Sequence, residues 1–271
     1  KRLTIIILSL LVIAGGYGYY FVHKSLPTVE GKVEVAMLDN DVKVHRDQNG
    51  IPTIEAKNDA DLYRAQGYVH AQDRLFQMDL ARRQASGRLS EVVGKAAIET
   101  DKKYLVFSLR KAAEKSYDGY SESAKKILNY YAEGVNAYIE EAKRDKKLSY
   151  EFSLLGYEPE KWTAIDSLTI GKYMAYDLGG HWDHQSFNNW ILNNLGEDLK
   201  QLLPESFSKN PDSEGIIKAN LAANANINKD TAKVERPPME NGSNDWVVSG
   251  KKTKSGKPLL ADDPHLGLST P

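Results

Sequence analysis

The chain contains no cysteine. That absence excludes a disulfide framework, a thiolate metal centre and a cysteine nucleophile. An excess of one charge is lacking too: 36 Lys and Arg stand against 37 Asp and Glu, a formal net charge of −1. Such a balance gives no electrostatic reason to expect nucleic acid as a partner. There is no internal repeat and no Gly-x-Ser-x-Gly elbow, so an α/β-hydrolase reading has no anchor. The run from Gly250 to Pro258 superficially matches a phosphate loop. It has five residues between its glycines instead of four, and Pro258 stands where a Ser or Thr would hold magnesium. It reads as a solvated turn. His181 and His184 lack a third protein ligand or a general-base Glu nearby, so catalytic zinc is not expected. Asn241-Gly242-Ser243 fits a glycosylation sequon, but nothing else supports that use.

What is present is globular in texture, with 41% hydrophobic and 27% charged residues over 271 positions. That is length enough for a sizeable core. Lys1-Arg2 precede a run from Leu3 to Val22 without a charge, and His23-Lys24 close it. About 20 apolar residues span a bilayer as a helix. The basic pair would stay in the cytoplasm and everything after Lys24 would lie outside. Residues 1–24 are therefore expected to be a transmembrane signal anchor. A cleaved signal peptide is the alternative, because the strongest apolar part ends at Ala14-Gly15-Gly16, small residues that suit a signal peptidase.

After a short connector, Lys32–Leu38, Val42–Arg46 and Ile51–Ala56 read as strands of a small meander, with turns at Asp39-Asn40-Asp41 and Asn49-Gly50. Asn58 can cap a helix with Asp59 and Asp61 in its first turn, and Gly87 is its stop. Further amphipathic helix is expected over Leu105–Lys115 and Ser123–Arg144, the latter with a stripe of Ile127, Tyr131, Val135, Tyr138 and Ile139. Thr163 and Asp166 form a capping box for a helix through Leu178. From about Ser208 the sequence becomes polar and rich in Asn, Ala and Lys, which reads as a spacer. At Asn244 it reverts to strand patterning, Trp246-Val247-Val248 and then Pro258-Leu259-Leu260-Ala261. The expected organisation is residues 1–24 anchor, 25–207 first region, 208–242 spacer, and 243–271 the start of a strand-rich part that breaks off at Pro271.

Ser243 sits where the spacer meets strand. An internal serine needs a neighbouring base, whereas a serine at a chain start carries its own α-amino group. That amine has an ordinary pKa near 7.7–8.0, so part of it is neutral at physiological pH and can accept the hydroxyl proton. Making such a terminus requires a cut after Gly242, and a residue without Cβ permits the backbone geometry the cut needs.

Two stretches bear a family likeness. Gly242–Pro271 (GSNDWVVSGKKTKSGKPLLADDPHLGLSTP) resembles the start of the catalytic chain of the penicillin acylase family. Val42–Gly94 (VKVHRDQNGIPTIEAKNDADLYRAQGYVHAQDRLFQMDLARRQASGRLSEVVG) resembles that family's opening strands and first long helix. The resemblance implies the α+β, αββα four-layer fold of N-terminal-nucleophile hydrolases. Only the mostly helical α chain and the first β-chain strands would be present here. It implies a precursor cut into α and β chains that stay together as a heterodimer, and hydrolysis of N-acyl amides such as β-lactam antibiotics or acyl-homoserine lactones. It also implies Ser243 as nucleophile, Gly242-Ser243 as cleavage site and His265 as a histidine beside the serine. Met174, Asp177 and Leu178 match positions lining the acyl pocket, though as helix residues they could simply be core. The chemistry needs no cofactor. A structural calcium has one family ligand near Gln185, where this chain lacks the Glu. The oxyanion donors and most calcium ligands would lie past Pro271, so the chain by itself is expected to be inactive. The rival is an anchored helical binding protein, or an inactive acylase remnant, in which Ser243 is an ordinary loop residue.

Overall fold

Asn58 has extended backbone angles, and its side chain accepts the amide of Asp61 at 2.7 Å, opening helix α2 at Asp59–Ser86. Gly87 closes it in the left-handed region at φ 68°, and the amide of Arg88 reaches back to the Arg83 carbonyl at 2.8 Å. Cap and stop are those the sequence signals, because each satisfies backbone groups a helix end leaves open. Both belong to a computed structural model that describes residues 2–179 and 243–263. The chain divides into two compact units, Lys1–Ala175 and Tyr176–Thr270.

In the first unit, α2 packs against α6 (Glu122–Arg144), whose first turn is capped by Ser121. Tyr68, Val69, Ala71 and Leu75 of α2 bury against Ala132, Val135, Tyr138, Ile139 and Ala142 of α6. Phe152 of the short helix α7 (Tyr150–Leu155) and Trp162 complete the core. The expected α6 stripe is therefore the buried face, as the 3.6-residue period requires. Two glycines set how closely the helices approach. A Cβ on Gly134 would stand 1.8 Å from the Arg64 carbonyl oxygen, and one on Gly67 2.1 Å from that of Tyr131. Neither position admits a side chain at this spacing.

Strand β1 (Lys43–Arg46) pairs antiparallel with β2 (Pro52–Glu55), matching Val44 to Ile54. The turn between them is held by Asp47, whose Oδ1 accepts the amides of Asn49 and Ile51, with Gly50 at φ 78°. The expected strand over Lys32–Leu38 does not form. Val35 packs on the core instead, and the amides of Asp39 and Asn40 go to the buried carboxylate of Asp61 at 2.9 and 3.1 Å. The single helix expected over Leu105–Lys115 is likewise two. After α3 (Ser90–Val93), α4 (Ile98–Phe107) and α5 (Leu109–Asp118) meet at Ser108, which takes φ 55° and turns the chain. Helix α8 (Ala164–Gly179) follows the capping box.

The N-terminal segment forms helix α1 (Arg2–Lys24). The expected membrane anchor over residues 1–24 is not upheld, since among the described residues no helix is long and apolar enough to cross a membrane. Beyond Ala14 the helix turns to Gly15-Gly-Tyr-Gly-Tyr-Tyr, and these residues carry far less apolar surface than the Leu and Ile before them. The anchored location and the membrane as a partner fall with it.

Candidate active site

The second unit holds a β-hairpin. Strand β3 (Asn244–Val248) pairs antiparallel with β4 (Leu259–Asp263), from Asn244 opposite Asp263 to Val248 opposite Leu259. The run that mimics a phosphate loop is the connection. It takes a 3₁₀ turn at Gly250–Lys252, and the Thr253 hydroxyl donates to the Lys257 carbonyl at 2.6 Å. Gly250 is required by contact, because a Cβ there would lie 2.3 Å from the Gly256 carbonyl oxygen. Gly256 itself has φ 71°.

Ser243 is exposed and is the residue immediately before β3. The pairing of Asn244 with Asp263 puts the start of β3 and the end of β4 at one end of the hairpin. Gly242 and His265 lie outside the described residues, as do the spacer and Gln185. Of the expected cleavage and catalytic set, only Ser243 is thus described. The register also brings together a pair the sequence did not suggest, Asp245 facing Asp262. Their carboxyls share a hydrogen bond, which with their mutual repulsion holds Asp245 above the usual carboxylate range. Only the strand register, and no local motif, could have revealed it. Among the described residues no group of three or more His, Asp or Glu could hold a metal ion.

The residues expected to line an acyl pocket fall on α8. Met174, Asp177 and Leu178 are exposed, with Met174 50% and Leu178 52% accessible, so the simpler assignment of all three to the core does not hold. The beginning of the same helix is fixed tightly. Asp166 is buried, and its Oδ2 accepts both the amide and the hydroxyl of Thr163 at 2.7 Å. Its Oδ1 accepts Arg110 of α5, also at 2.7 Å. Arg82 donates to the carbonyls of Glu160 and Lys161, and Asn136 exchanges two hydrogen bonds with the backbone of Trp162. Beneath this lies Asp79, almost wholly buried. It pairs with both Arg82 and Arg83 and accepts the Tyr157 hydroxyl at 3.0 Å. Apart from the Thr163–Asp166 box, that network was not foreseen, because most of its partners lie more than 50 residues apart in the sequence.

These arrangements make a helical scaffold followed in the sequence by a hairpin whose first strand comes directly after a serine. The chain belongs to the penicillin amidase family, whose family model matches residues 41–271. It is 32% identical over 268 residues to penicillin acylase 2 proenzyme of Pseudomonas sp. (strain SE83), covering 91% of this chain and 33% of that protein. It is also 32% identical over 257 residues to acyl-homoserine lactone acylase QuiP of Pseudomonas aeruginosa, covering 91% of this chain and 30% of the relative. The chain therefore spans about a third of the length of the curated relatives it matches. A solved thermostable penicillin G acylase from Alcaligenes faecalis aligns with 73% of this chain and 97% of its own, at TM-score 0.47 and 26% identity. Membership carries the αββα fold class expected from the sequence. The described residues contribute its helical part and first strands.

Proposed function

We propose that this chain is the front part of an exported acylase precursor in which cleavage between Gly242 and Ser243 makes Ser243 the N-terminal nucleophile. One observation carries the reading: the family match takes in Ser243, which is exposed at the first position before β3. In the reaction, Ser243 Oγ attacks the carbonyl carbon of an N-acyl amide while its proton passes to the neutral α-amino group. The tetrahedral intermediate collapses, the C–N bond breaks, and the leaving amine takes the proton. Water then attacks the acyl ester, the α-amino group of Ser243 accepts its proton and passes it to Oγ as the C–O bond breaks, and the acid departs. His265 follows Asp263 by two residues, a reach of at most about 7 Å from the end of the hairpin that begins beside Ser243. It is assigned to assist the serine.

The relatives' names point to N-acyl amides of the penicillin or acyl-homoserine lactone kind. The exposed Met174, Asp177 and Leu178 are assigned to the wall that meets the acyl group, and the cut halves remain together as an αβ heterodimer. The basic pair and apolar run up to Ala14 support export through a cleaved leader. N-terminal sequencing of the processed full-length protein tests the central claim. A chain starting Ser-Asn-Asp-Trp is expected, with Ser243→Ala leaving uncut and inactive precursor. An active enzyme whose catalytic chain starts elsewhere refutes it.

A further inference from the structure

Helix α2 departs from helical geometry at one interior residue, Arg74, with φ −143° and ψ 22°. Beside this break lies a groove of about 430 Å³. Asn49 and Ile51 from the β1–β2 turn, Pro52 of β2, His70, Arg74 and Met78 from α2 and Tyr131 from α6 line it. Its hydrogen-bonding capacity is lopsided. Asp73, the carboxylate at its edge, is already held by Arg46, with contacts of 2.8 and 3.0 Å to its two oxygens. The Gly50 carbonyl is taken by the same guanidinium at 3.1 Å. Arg74 is exposed, and among the described residues nothing pairs with its guanidinium.

The remaining polar pair adds donors. His70 Nδ1 lies 3.0 Å from the Tyr131 hydroxyl. Burial pushes Tyr131 up to about 12, so it keeps its proton. Burial also lowers His70, against the opposing pull of Asp73, which favours neutral imidazole. With the imidazole proton on Nε2, Tyr131 donates to Nδ1 and Nε2–H is left over as a donor. The groove thus offers a guanidinium and a spare N–H donor beside apolar side chains, and the carboxylate at its edge is already paired.

We infer that this groove seats an Asp or Glu side chain, flanked by an apolar residue, from the catalytic chain that follows Pro271 in the full-length protein. The inference rests on the proposed two-chain reading. A carboxylate is the planar acceptor that a guanidinium fork binds through two parallel hydrogen bonds. A tethered occupant is favoured over a free acid by effective concentration. An exposed pair alone contributes about 1 kcal/mol or less, whereas a linked segment presents its carboxylate at millimolar levels or above. Relatives roughly three times as long as this chain provide such a segment.

The test uses the full-length protein carrying Ser243→Ala, so that it reports on the groove whether or not cutting occurs. A photo-crosslinking phenylalanine derivative replaces Met78. The expected adduct is with a peptide located after Pro271 that contains Asp or Glu. Adding Arg74→Gln should lower the yield by up to about fivefold, the loss of one exposed ion pair. Arg74→Lys, which keeps the charge but not the fork, should lower it less. Adducts confined to residues before Ser243, or a yield unmoved by Arg74→Gln, would overturn the inference. Suppression of adduct formation when millimolar phenylacetate or acetate is present during irradiation would also overturn it, by making the groove a small-acid site. Failure of the two-chain reading shows separately, as an unprocessed parent protein in N-terminal sequencing.

Discussion

Replacing Gly134 by alanine adds a single methyl group at the crossing of α2 and α6. That Cβ would stand 1.8 Å from the Arg64 carbonyl oxygen and 2.8 Å from both the Arg64 carbonyl carbon and the Tyr68 nitrogen. A carbon and a carbonyl oxygen normally come no closer than about 3.3 Å. The helices must therefore separate by about 1.5 Å, and every neighbour is backbone, with no flexible side-chain end to swing away. A gap of even 0.5–1 Å forfeits roughly a quarter to a half of each van der Waals well it opens. The contacts at stake are those of Tyr68 and Val69 with Val135, Tyr138 and Ile139, all buried. Overpacking typically costs about 1–3 kcal/mol and occasionally more; a displacement this large belongs at or above the upper end. Alanine's better helix propensity returns about 1 kcal/mol. The net destabilisation is about 2–3 kcal/mol, or roughly 4–12 °C in the melting temperature for a chain of this size. Thermal unfolding followed by circular dichroism at 222 nm reads it directly. Gly171→Ala in α8 is the control, because nothing lies within 4 Å of its Cβ position. It should be neutral or stabilising by up to about 1 kcal/mol. Gly134→Ala melting with the parent protein would refute the close-crossing argument.

Asp79→Ala leaves the buried Arg82 and Arg83 without their shared carboxylate. It should cost about 3–5 kcal/mol in denaturant unfolding. Burial alone would raise the Asp61 carboxyl, but hydrogen bonds from Asp39, Asn40 and Asn58 outweigh it and hold the group below its ordinary value. Its stabilising contribution is thus complete above the unfolded value of about 3.9 and is lost as pH falls through the folded one. Unfolding midpoints measured from pH 6 down to pH 2 should fall less steeply in Asp61→Asn; an unchanged slope would count against this. His265→Ala should slow acyl hydrolysis by the full-length enzyme while leaving its melting temperature within about 2 °C, the outcome expected of a residue that serves the reaction and not the fold. A collapse in stability would assign His265 to the fold.

Local grammar was what the sequence displayed best. Asn58, Gly87, Ser121 and the Thr163–Asp166 box each satisfy backbone groups within a few residues, so the ends of α2, α6 and α8 could be read directly. The α6 stripe was legible because one face buries it. Interactions across long separations were not. The stretch Lys32–Leu38 has strand patterning, yet the amides that follow it are claimed by Asp61, more than 20 residues away. Ser108 breaks a helix-patterned run by taking a left-handed conformation that no periodicity encodes. At the candidate site, Ser243 was singled out by the family likeness of Gly242–Pro271 and by its place between spacer and strand. The Asp245–Asp262 pair depends on hairpin register and stayed hidden. Nothing in the sequence singles out Arg74; the break in α2 and the pairing of Asp73 with Arg46 set it apart.

Helix α8 has an immobile root and an open end. Thr163 and Asp166 bond to each other, Asp166 also holds Arg110 of α5, and Asn136 of α6 holds Trp162, whereas Met174 and Leu178, one turn apart, are half exposed. Substitutions near the root are therefore filtered by folding before they can affect anything else. Those at the open end escape that filter, since exposed positions usually shift stability by no more than about 0.5 kcal/mol. A lineage carrying this helix can change its surface chemistry from Met174 onward, one residue at a time, while the scaffold beneath stays as it is.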